Sequence, residues 1–373
     1  MAELGFGLMR LPLTDPADQT SIDIPQLEKM VDMYLSSGLN YFDTAYLYHG
    51  SQSENAIRKA LVERYPRDRY RIATKLPIMI LKDPVKAEEV FEEQLRKIGV
   101  DYFDNYLVHN VCSNHLGGME GSDAFELVKR KKAEGKIKRI GFSFHDGPEL
   151  LDRLLTEHPE VEFVQLQINY LDWENSSIAS RANLEVARKH GKPVIVMEPV
   201  KGGILANVPD EVKRLFEQKN PGMSPASWAL RYVMSLDGIE TVLSGMSNLD
   251  QMKDNLSFSV DFKPLDVEEM SIIEKAREII SSDVAVACTG CRYCMKGCPK
   301  DILIADYFQL YNAEKRNPSP IWSLPGLYYK NRSAGHGKAS DCIECGRCEE
   351  SCPQHLKIID LLKDVKETFE KSS

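Results

Sequence analysis

At 373 residues the chain is long enough for two domains of ordinary size. It has 43% hydrophobic and 28% charged residues with 23 Gly and 19 Pro, which excludes disordered, collagen-like and low-complexity classes. Lys and Arg number 47 against 56 Asp and Glu, and the net charge of −9 argues against nucleic acid as the main ligand. No apolar run reaches the roughly eighteen residues of a membrane span, and residues 1–13 carry neither a basic start nor a long apolar stretch. A soluble cytoplasmic chain with no membrane partner is therefore expected.

Short apolar strands alternate with amphipathic helices over the first 260 residues or so. Strands are expected at 4–12, 40–45, 70–76, 102–109, 137–144, 163–169, 193–199 and 238–244, each rich in branched or aromatic residues and bounded by turn formers. Helices are expected at 25–37, 54–64, 85–98, 124–134, 149–158, 177–190, 225–236 and 249–255, where apolar residues recur at three- and four-residue spacings. Strict alternation implies a parallel sheet, and eight such units imply an α/β fold of the closed (β/α)8 TIM barrel type. A doubly wound open sheet is the runner-up, weakened because no G-x-G-x-x-G opens the first helix.

Chemistry in such a barrel sits where the strands end. The second strand runs into Asp43, followed by Tyr46, Tyr48 and His49; the third ends at Lys75 and the fourth at His109. A carboxylate, a phenol, an ammonium and an imidazole thus converge on one rim, with Tyr46 rivalling Tyr48 and His49 rivalling His109. A phenol with a pKa of about 10 is a poor acid at neutral pH, and a nearby ammonium such as Lys75, held charged by Asp43, is expected to lower it.

The runs GFGLMRLP at 5–12, NYFDTAYLYHG at 40–50, SENAIRKAL at 53–61, ATK at 73–75, YLVH at 106–109 and GFS at 141–143 resemble the aldo/keto reductases in order and spacing, over residues 3–260. The resemblance implies a catalytic tetrad with Tyr48 as proton donor, chosen over Tyr46 by the family's D-x4-Y spacing. Lys75 and Asp43 would be its tuning partners, and His109 would orient the carbonyl. Reducing a carbonyl needs a hydride at carbon and a proton at oxygen, and Tyr48 and His109 would hydrogen-bond the developing alkoxide. The resemblance also implies a small carbonyl or alcohol substrate and a nicotinamide cofactor, NAD(P)H, bound without a Rossmann fold. Ser143 and Gln167 would hold the nicotinamide carboxamide, with Asn169 beside them. Gly245, Ser247, Gln251 and Asn255 would meet the adenosine phosphate at a helix N-terminus. Gly245 and Gln251 stand where many relatives carry basic residues, so NADH against NADPH is left open. Met197 or Glu198 replaces the usual stacking aromatic. Lys201, with Gly202 and Gly203, would meet the pyrophosphate or else form a plain solvated loop.

Cys112 is the single cysteine of the first 287 residues. The other eight form two runs, Cys288, Cys291, Cys294, Cys298 and Cys342, Cys345, Cys348, Cys352, each C-x2-C-x2-C-x3-C followed by Pro299 or Pro353. A disulfide scaffold would spread its cysteines through a small chain lacking a core. The runs resemble the bacterial-type ferredoxin module, a small α+β domain. That resemblance implies two 4Fe–4S clusters, one on Cys288, Cys291, Cys294 and Cys352, the other on Cys342, Cys345, Cys348 and Cys298. Two structural zinc sites are the alternative, although zinc ribbons usually separate their cysteine pairs by a longer stretch.

The expected organisation is a barrel over 1–265, a helical linker over 266–283, and a ferredoxin-like domain with a C-terminal helix over 284–373. Residues 300–341 exceed what a compact ferredoxin needs and carry Tyr307, Phe308, Tyr311, Trp322, Tyr328 and Tyr329. They are expected to pack over the clusters or onto the barrel. Cys112 is expected to be an unreactive free thiol, and the basic run at 129–132 an exposed helix face.

The function expected is an iron–sulfur oxidoreductase of the aldo/keto reductase type, whose clusters pass electrons to or from a ferredoxin or other carrier. A hydride carries two electrons while each cluster passes one, and no flavin motif is legible. The alternative is an electron-transfer or docking protein with a catalytically silent barrel and clusters that are carriers or structural.

Overall fold

The computed structural model describes residues 2–370 apart from 176–177, 283–284, 289, 317, 319–322 and 353. Trp322, Pro353 and the expected helix start at residue 177 lie outside the described residues. Eight parallel strands, β1 (Glu3–Gly7), β2 (Tyr41–Asp43), β3 (Arg71–Leu76), β4 (Phe103–Val111), β5 (Ile137–Phe144), β6 (Phe163–Gln167), β7 (Val194–Met197) and β8 (Ile239–Gly245), close in sequence order into a barrel. The register sets Gly7 beside both Asp43 and Gly245, and Ser143 beside Gln165, so the polar residues near the C-terminal strand ends share one rim.

Three of the helices between the strands begin at a side-chain cap. Asp23, Asp83 and Ser224 each accept a hydrogen bond from a first-turn amide, and each precedes a helix with Pro in its first turn. The helix expected at 54–64 is α-helical over Ser53–Ile57 and widens into a π turn over Arg58–Val62. Helices Leu116–Gly121 and Asp210–Lys219 were not expected from the pattern. Inside the barrel Tyr41, Ala73, Leu107, Phe163, Ile195 and Leu243 form a small core. The Phe163 ring fills it so closely that a Cβ on Gly141 would lie 2.4 Å away. The larger apolar core lies between strands and helices. Helix Val267–Ser282, in the span expected as a linker, is bound to the barrel through Arg231–Glu269 at 2.7 Å.

Beyond it the chain is helical. Each cysteine run bears a four-residue helix, Tyr293–Lys296 or Arg347–Glu350, entered through a left-handed residue, Arg292 at φ 62° or Gly346 at φ 78°. Helices Ile304–Arg316, Leu324–Ser333 and Ile358–Phe369 complete the region, and the β contribution among the described residues is one parallel bridge, Ile302 to Gly337. The aromatic residues of 300–341 do pack in both expected directions. Tyr307, Phe308, Tyr328 and Tyr329 share a core with Cys294, Cys348, Cys352 and Ile178 of the barrel. No helix among the described residues is long and apolar enough to cross a membrane.

Candidate active site and cluster-binding loops

Asp43 is the last residue of β2 and Lys75 lies near the end of β3, so pairing of the two strands brings their side chains together. The Lys75 ammonium donates to Asp43 Oδ1 at 2.5 Å, to the Thr44 carbonyl at 2.7 Å and to the Tyr48 hydroxyl at 3.3 Å, which uses all three of its N–H bonds. Asp43 Oδ2 accepts from Gln165 Nε2 at 3.1 Å. Lys75 and Asp43 are buried, while Tyr48 is partly open to a cleft. Burial pushes the Asp43 carboxyl up from the ordinary range against the pull of Lys75. Burial pulls Lys75 down, but the negative charge of Asp43 prevails and holds the ammonium charged.

The phenol departs from expectation. Burial raises the Tyr48 pKa, and the opposing effect of Lys75 only offsets part of the rise. The sequence shows the ammonium but not the depth of the pocket, and desolvation of a phenolate is the larger effect here.

The two rivals are accounted for elsewhere. Tyr46 donates to Glu93 at 3.1 Å. His49 Nε2 accepts from the Leu11 amide at 3.1 Å, so its Nδ1 carries the proton and donates to the Gln19 carbonyl at 2.9 Å. That imidazole pins the loop bearing Tyr48 to the segment after β1. His109 meets Tyr48 edge to face, with ring centres 6.0 Å apart. Its Nδ1 is buried without a partner, and burial, then the positive Lys75, keeps the ring neutral by holding its pKa well below the usual value.

A cleft of about 350 Å³ runs from Asp43, Tyr48 and Gln165 to Gly245, Ser247, Gln251 and Asn255. At its far end Asn248 caps helix Leu249–Ser259, the Gln251 side chain accepts from the Ser247 amide at 2.7 Å, and Asn255 donates to Ser244 at 2.9 Å. Gly202 and Gly203, both at positive φ, line the middle. The cleft's shape and its bare backbone at these glycines suit an extended dinucleotide. Arg10 is the one cation among its described lining residues, and it faces Glu198 at 3.5 Å.

The remaining expected contacts group differently. Ser143 accepts from the Asn110 amide at 2.8 Å. Gln167 and Asn169 both donate to Asp172 Oδ2, at 2.9 and 2.8 Å, and Lys201 donates to Asp172 Oδ1 at 2.5 Å. Gln167 and Lys201 line an adjoining cavity rather than the long cleft. Sequence reasoning missed Gln165, Arg10 and the fully buried Asp172 that organises this network. The strand alternation that relates 165 to 167 was the available signal for Gln165.

The two cysteine runs approach each other in two places. Cys298, Cys342, Cys345 and Cys348 line one cavity. Cys288 and Cys294 are raised by burial and next by negative charge on neighbouring thiols, Cys291 and Cys352 among them; Cys294 is pushed up to about 12. Cys298 thus stands beside Cys342, Cys345 and Cys348, and Cys352 stands near Cys288 and Cys294. Backbone amides of Gly290 and Ile302 donate to Cys288 and Cys298 sulfur at 3.5 Å, contacts that suit a thiolate-held cluster. Among the described residues no three His, Cys, Asp or Glu side chains converge as they would on a single metal ion. Cys112 is buried and its thiol is pushed up to about 11, as expected for an unreactive one.

Residues 3–278 match the aldo/keto reductase family, and residues 287–357 match the 4Fe-4S dicluster domain. The chain is 24% identical over 309 residues to a probable aldo-keto reductase 1 of Glycine max, covering 72% of this chain and 84% of that protein. It is 24% identical over 254 residues to L-galactose dehydrogenase of Arabidopsis thaliana, covering 64% and 79%. Among solved structures, an aldo-keto reductase from Bacillus halodurans in its holo form aligns with a TM-score of 0.60 at 27% identity, over 74% of this chain and 91% of that one. An aldo-keto reductase from Klebsiella pneumoniae in complex with NADPH shares the fold at 21% identity, with a TM-score of 0.59, over 73% and 90%.

Proposed function

The chain belongs to the aldo/keto reductase family, with a 4Fe–4S dicluster domain after its barrel, and on that premise we propose that it interconverts a carbonyl and an alcohol, with Tyr48 as general acid and base. The observation that carries this reading is the Lys75 ammonium, which touches Asp43 and Tyr48 at once at the head of a dinucleotide-sized cleft. When bound, the nicotinamide supplies hydride to the carbonyl carbon or takes it from the alcohol carbon.

Tyr48 gives its proton to the carbonyl oxygen during reduction and recovers it in the reverse direction. Its raised pKa keeps it a donor through neutral pH, and the charged Lys75 stabilises the phenolate left behind. The neutral His109 orients the same oxygen. Ser143 and Gln167, with Gln165 beside them, would hold the nicotinamide end, while Ser247, Gln251, Asn255 and the Gly245 backbone would meet the adenosine end. Arg10 would serve the pyrophosphate, and Asn169 and Lys201 would act through Asp172 as supports. With Asp254 in the lining and no second cation among the described residues there, the cleft suits NADH better than NADPH.

The two cysteine groups would each hold one 4Fe–4S cluster, exchanging single electrons when bound. Cys291, Cys345, Tyr293 and Ile343 are exposed, so both cysteine loops would be accessible to a ferredoxin or similar carrier. The test is Tyr48→Phe in anaerobically purified protein. We expect kcat to fall by roughly 10²–10⁴-fold while the NADH dissociation constant is unchanged. Retained turnover would overturn the assignment.

A further inference from the structure

A second cavity, of about 230 Å³, lies between the barrel rim and helices Ile304–Arg316 and Leu324–Ser333. It adjoins the long cleft, for Arg10, Glu198 and Gly202 line both. None of Asp43, Tyr48, Lys75 or His109 is among its described lining residues, so it is left to a part of the cofactor that does not react. The barrel side is mostly polar, through Arg10, Gln167, Asn175, Glu198 and Lys201. Gln167 is the residue assigned above to the nicotinamide end. Among the described residues its buried Oε1 has no hydrogen-bond partner, as fits an acceptor that meets a carboxamide N–H only when the cofactor is bound.

The opposite wall does not belong to the barrel. Leu310, Ala313, Leu324 and Tyr328 come from the segment between the two cysteine runs and present an apolar surface. A pyridine ring has a polar edge and two apolar faces and needs both kinds of wall, and the barrel side supplies chiefly the polar one. The apolar wall is held at both ends. On the barrel, the Tyr328 hydroxyl lies 3.3 Å from His145 Nδ1, and Asn114 donates to the Asn331 carbonyl. In the cysteine-rich region, Asp306 pairs with Arg292 at 2.8 Å, and the Asn312 side chain both donates to the Val286 carbonyl and accepts from its amide at 2.8 Å. Helix Ile304–Arg316 thus carries the approach to the first cysteine loop on one face and the cavity wall on another.

We propose that the iron–sulfur domain completes the cofactor site, with helices Ile304–Arg316 and Leu324–Ser333 covering the nicotinamide that the barrel holds from the other side. The proposal rests on the nicotinamide reading above and adds to it residues beyond the 3–278 span that matches the aldo/keto reductase family. A dinucleotide seated there is shared unequally: its adenosine end meets the barrel alone, and its nicotinamide end meets both domains. The cysteine-rich region therefore sets part of the affinity for the nicotinamide half and none of the affinity for the adenosine half.

The test uses the full chain, purified without oxygen, with NAD⁺ and ADP-ribose as probes, because ADP-ribose is the same dinucleotide without its nicotinamide. Binding is read by anaerobic calorimetry. Ala313→Leu, which fills part of the cavity, should weaken NAD⁺ about tenfold or more and leave ADP-ribose within about twofold. Leu324→Phe, at the less buried position on the second helix, should act in the same direction. An unchanged EPR signal from the dithionite-reduced protein is the folding control. In the unsubstituted protein, amide hydrogen exchange over residues 304–333 should slow with NAD⁺ and not with ADP-ribose. Equal weakening of both probes, weakening of neither, or exchange that NAD⁺ does not slow would each overturn the proposal. Binding of neither probe would overturn it together with the cofactor reading beneath it. Tyr48→Phe separates the two: NAD⁺ selectively weakened by Ala313→Leu, with turnover retained by Tyr48→Phe, would leave the shared site standing and remove the assigned chemistry. Turnover lost in Tyr48→Phe, with NAD⁺ untouched by Ala313→Leu and Leu324→Phe, would do the reverse.

Discussion

The barrel and the cysteine-rich region solve the problem of stability by different means. The barrel closes eight strands on themselves, leaves no sheet edge, and buries a large apolar core between strands and helices. The C-terminal region has only a single β-bridge among its described residues, and its core mixes aromatic rings with the thiols of Cys294, Cys348 and Cys352. If those thiols hold clusters as proposed, the clusters would complete that core, whereas the barrel needs only its own side chains.

The largest expected effect breaks the comparison at its weak side. Cys294→Ser should abolish the first cluster, lower the iron content from the roughly eight per chain that two cubes require, and unfold the C-terminal region, while far-UV circular dichroism still reports the barrel. Loss of barrel signal together with the cluster would show that the two parts do not stand independently. Next comes the loss of turnover in Tyr48→Phe described above. On the barrel side, Phe163→Ala removes the ring that fills the interior and should cost about 3–5 kcal/mol in urea unfolding, with cluster EPR unchanged in the folded protein.

A smaller effect concerns pH. His145 is held down to about 4 by burial first and by nearby positive groups next, whereas an unfolded histidine titrates at about 6.5. Between those values the unfolded chain binds a proton that the folded chain does not. The stability owed to the neutral ring is complete above about pH 6.5 and declines as pH falls towards 4, by at most about 3 kcal/mol. His145→Gln should flatten this limb of the urea midpoint against pH, and an unchanged slope would contradict the assignment. The smallest effect expected is nucleotide choice: Asp254→Asn should narrow the preference for NADH by several-fold, read by nucleotide fluorescence titration.

Much of this was legible in the residues because periodicity and spacing carry it. Alternation of strand and helix gave the closed barrel, and the strand ends gave Asp43, Lys75 and His109. The repeated cysteine spacing marked the 4Fe–4S dicluster domain that residues 287–357 match. Other features are invisible to pattern. Alternation sets Gln165 and Gln167 on the same face of their strand, so it marks both but does not tell which glutamine enters which cavity. Asp172 follows that strand in an irregular segment and has no periodic mark, yet it gathers Gln167, Asn169 and Lys201. Desolvation is likewise a property of the assembled pocket, which is why Tyr48 was expected to be more acidic than ordinary and is found less so. His49 rivals His109 in the sequence alone, and only the fold shows its two ring nitrogens tying down the loop.

The most direct measurement is hydride transfer itself. Anaerobic holoprotein would be incubated with NADH deuterated at its transferable position and a panel of small aldehydes, with product alcohols analysed by NMR. The account predicts deuterium on the carbinol carbon with the native protein and almost none with Tyr48→Phe. Absence of label from every product, or equal label from the Tyr48→Phe protein, would contradict it.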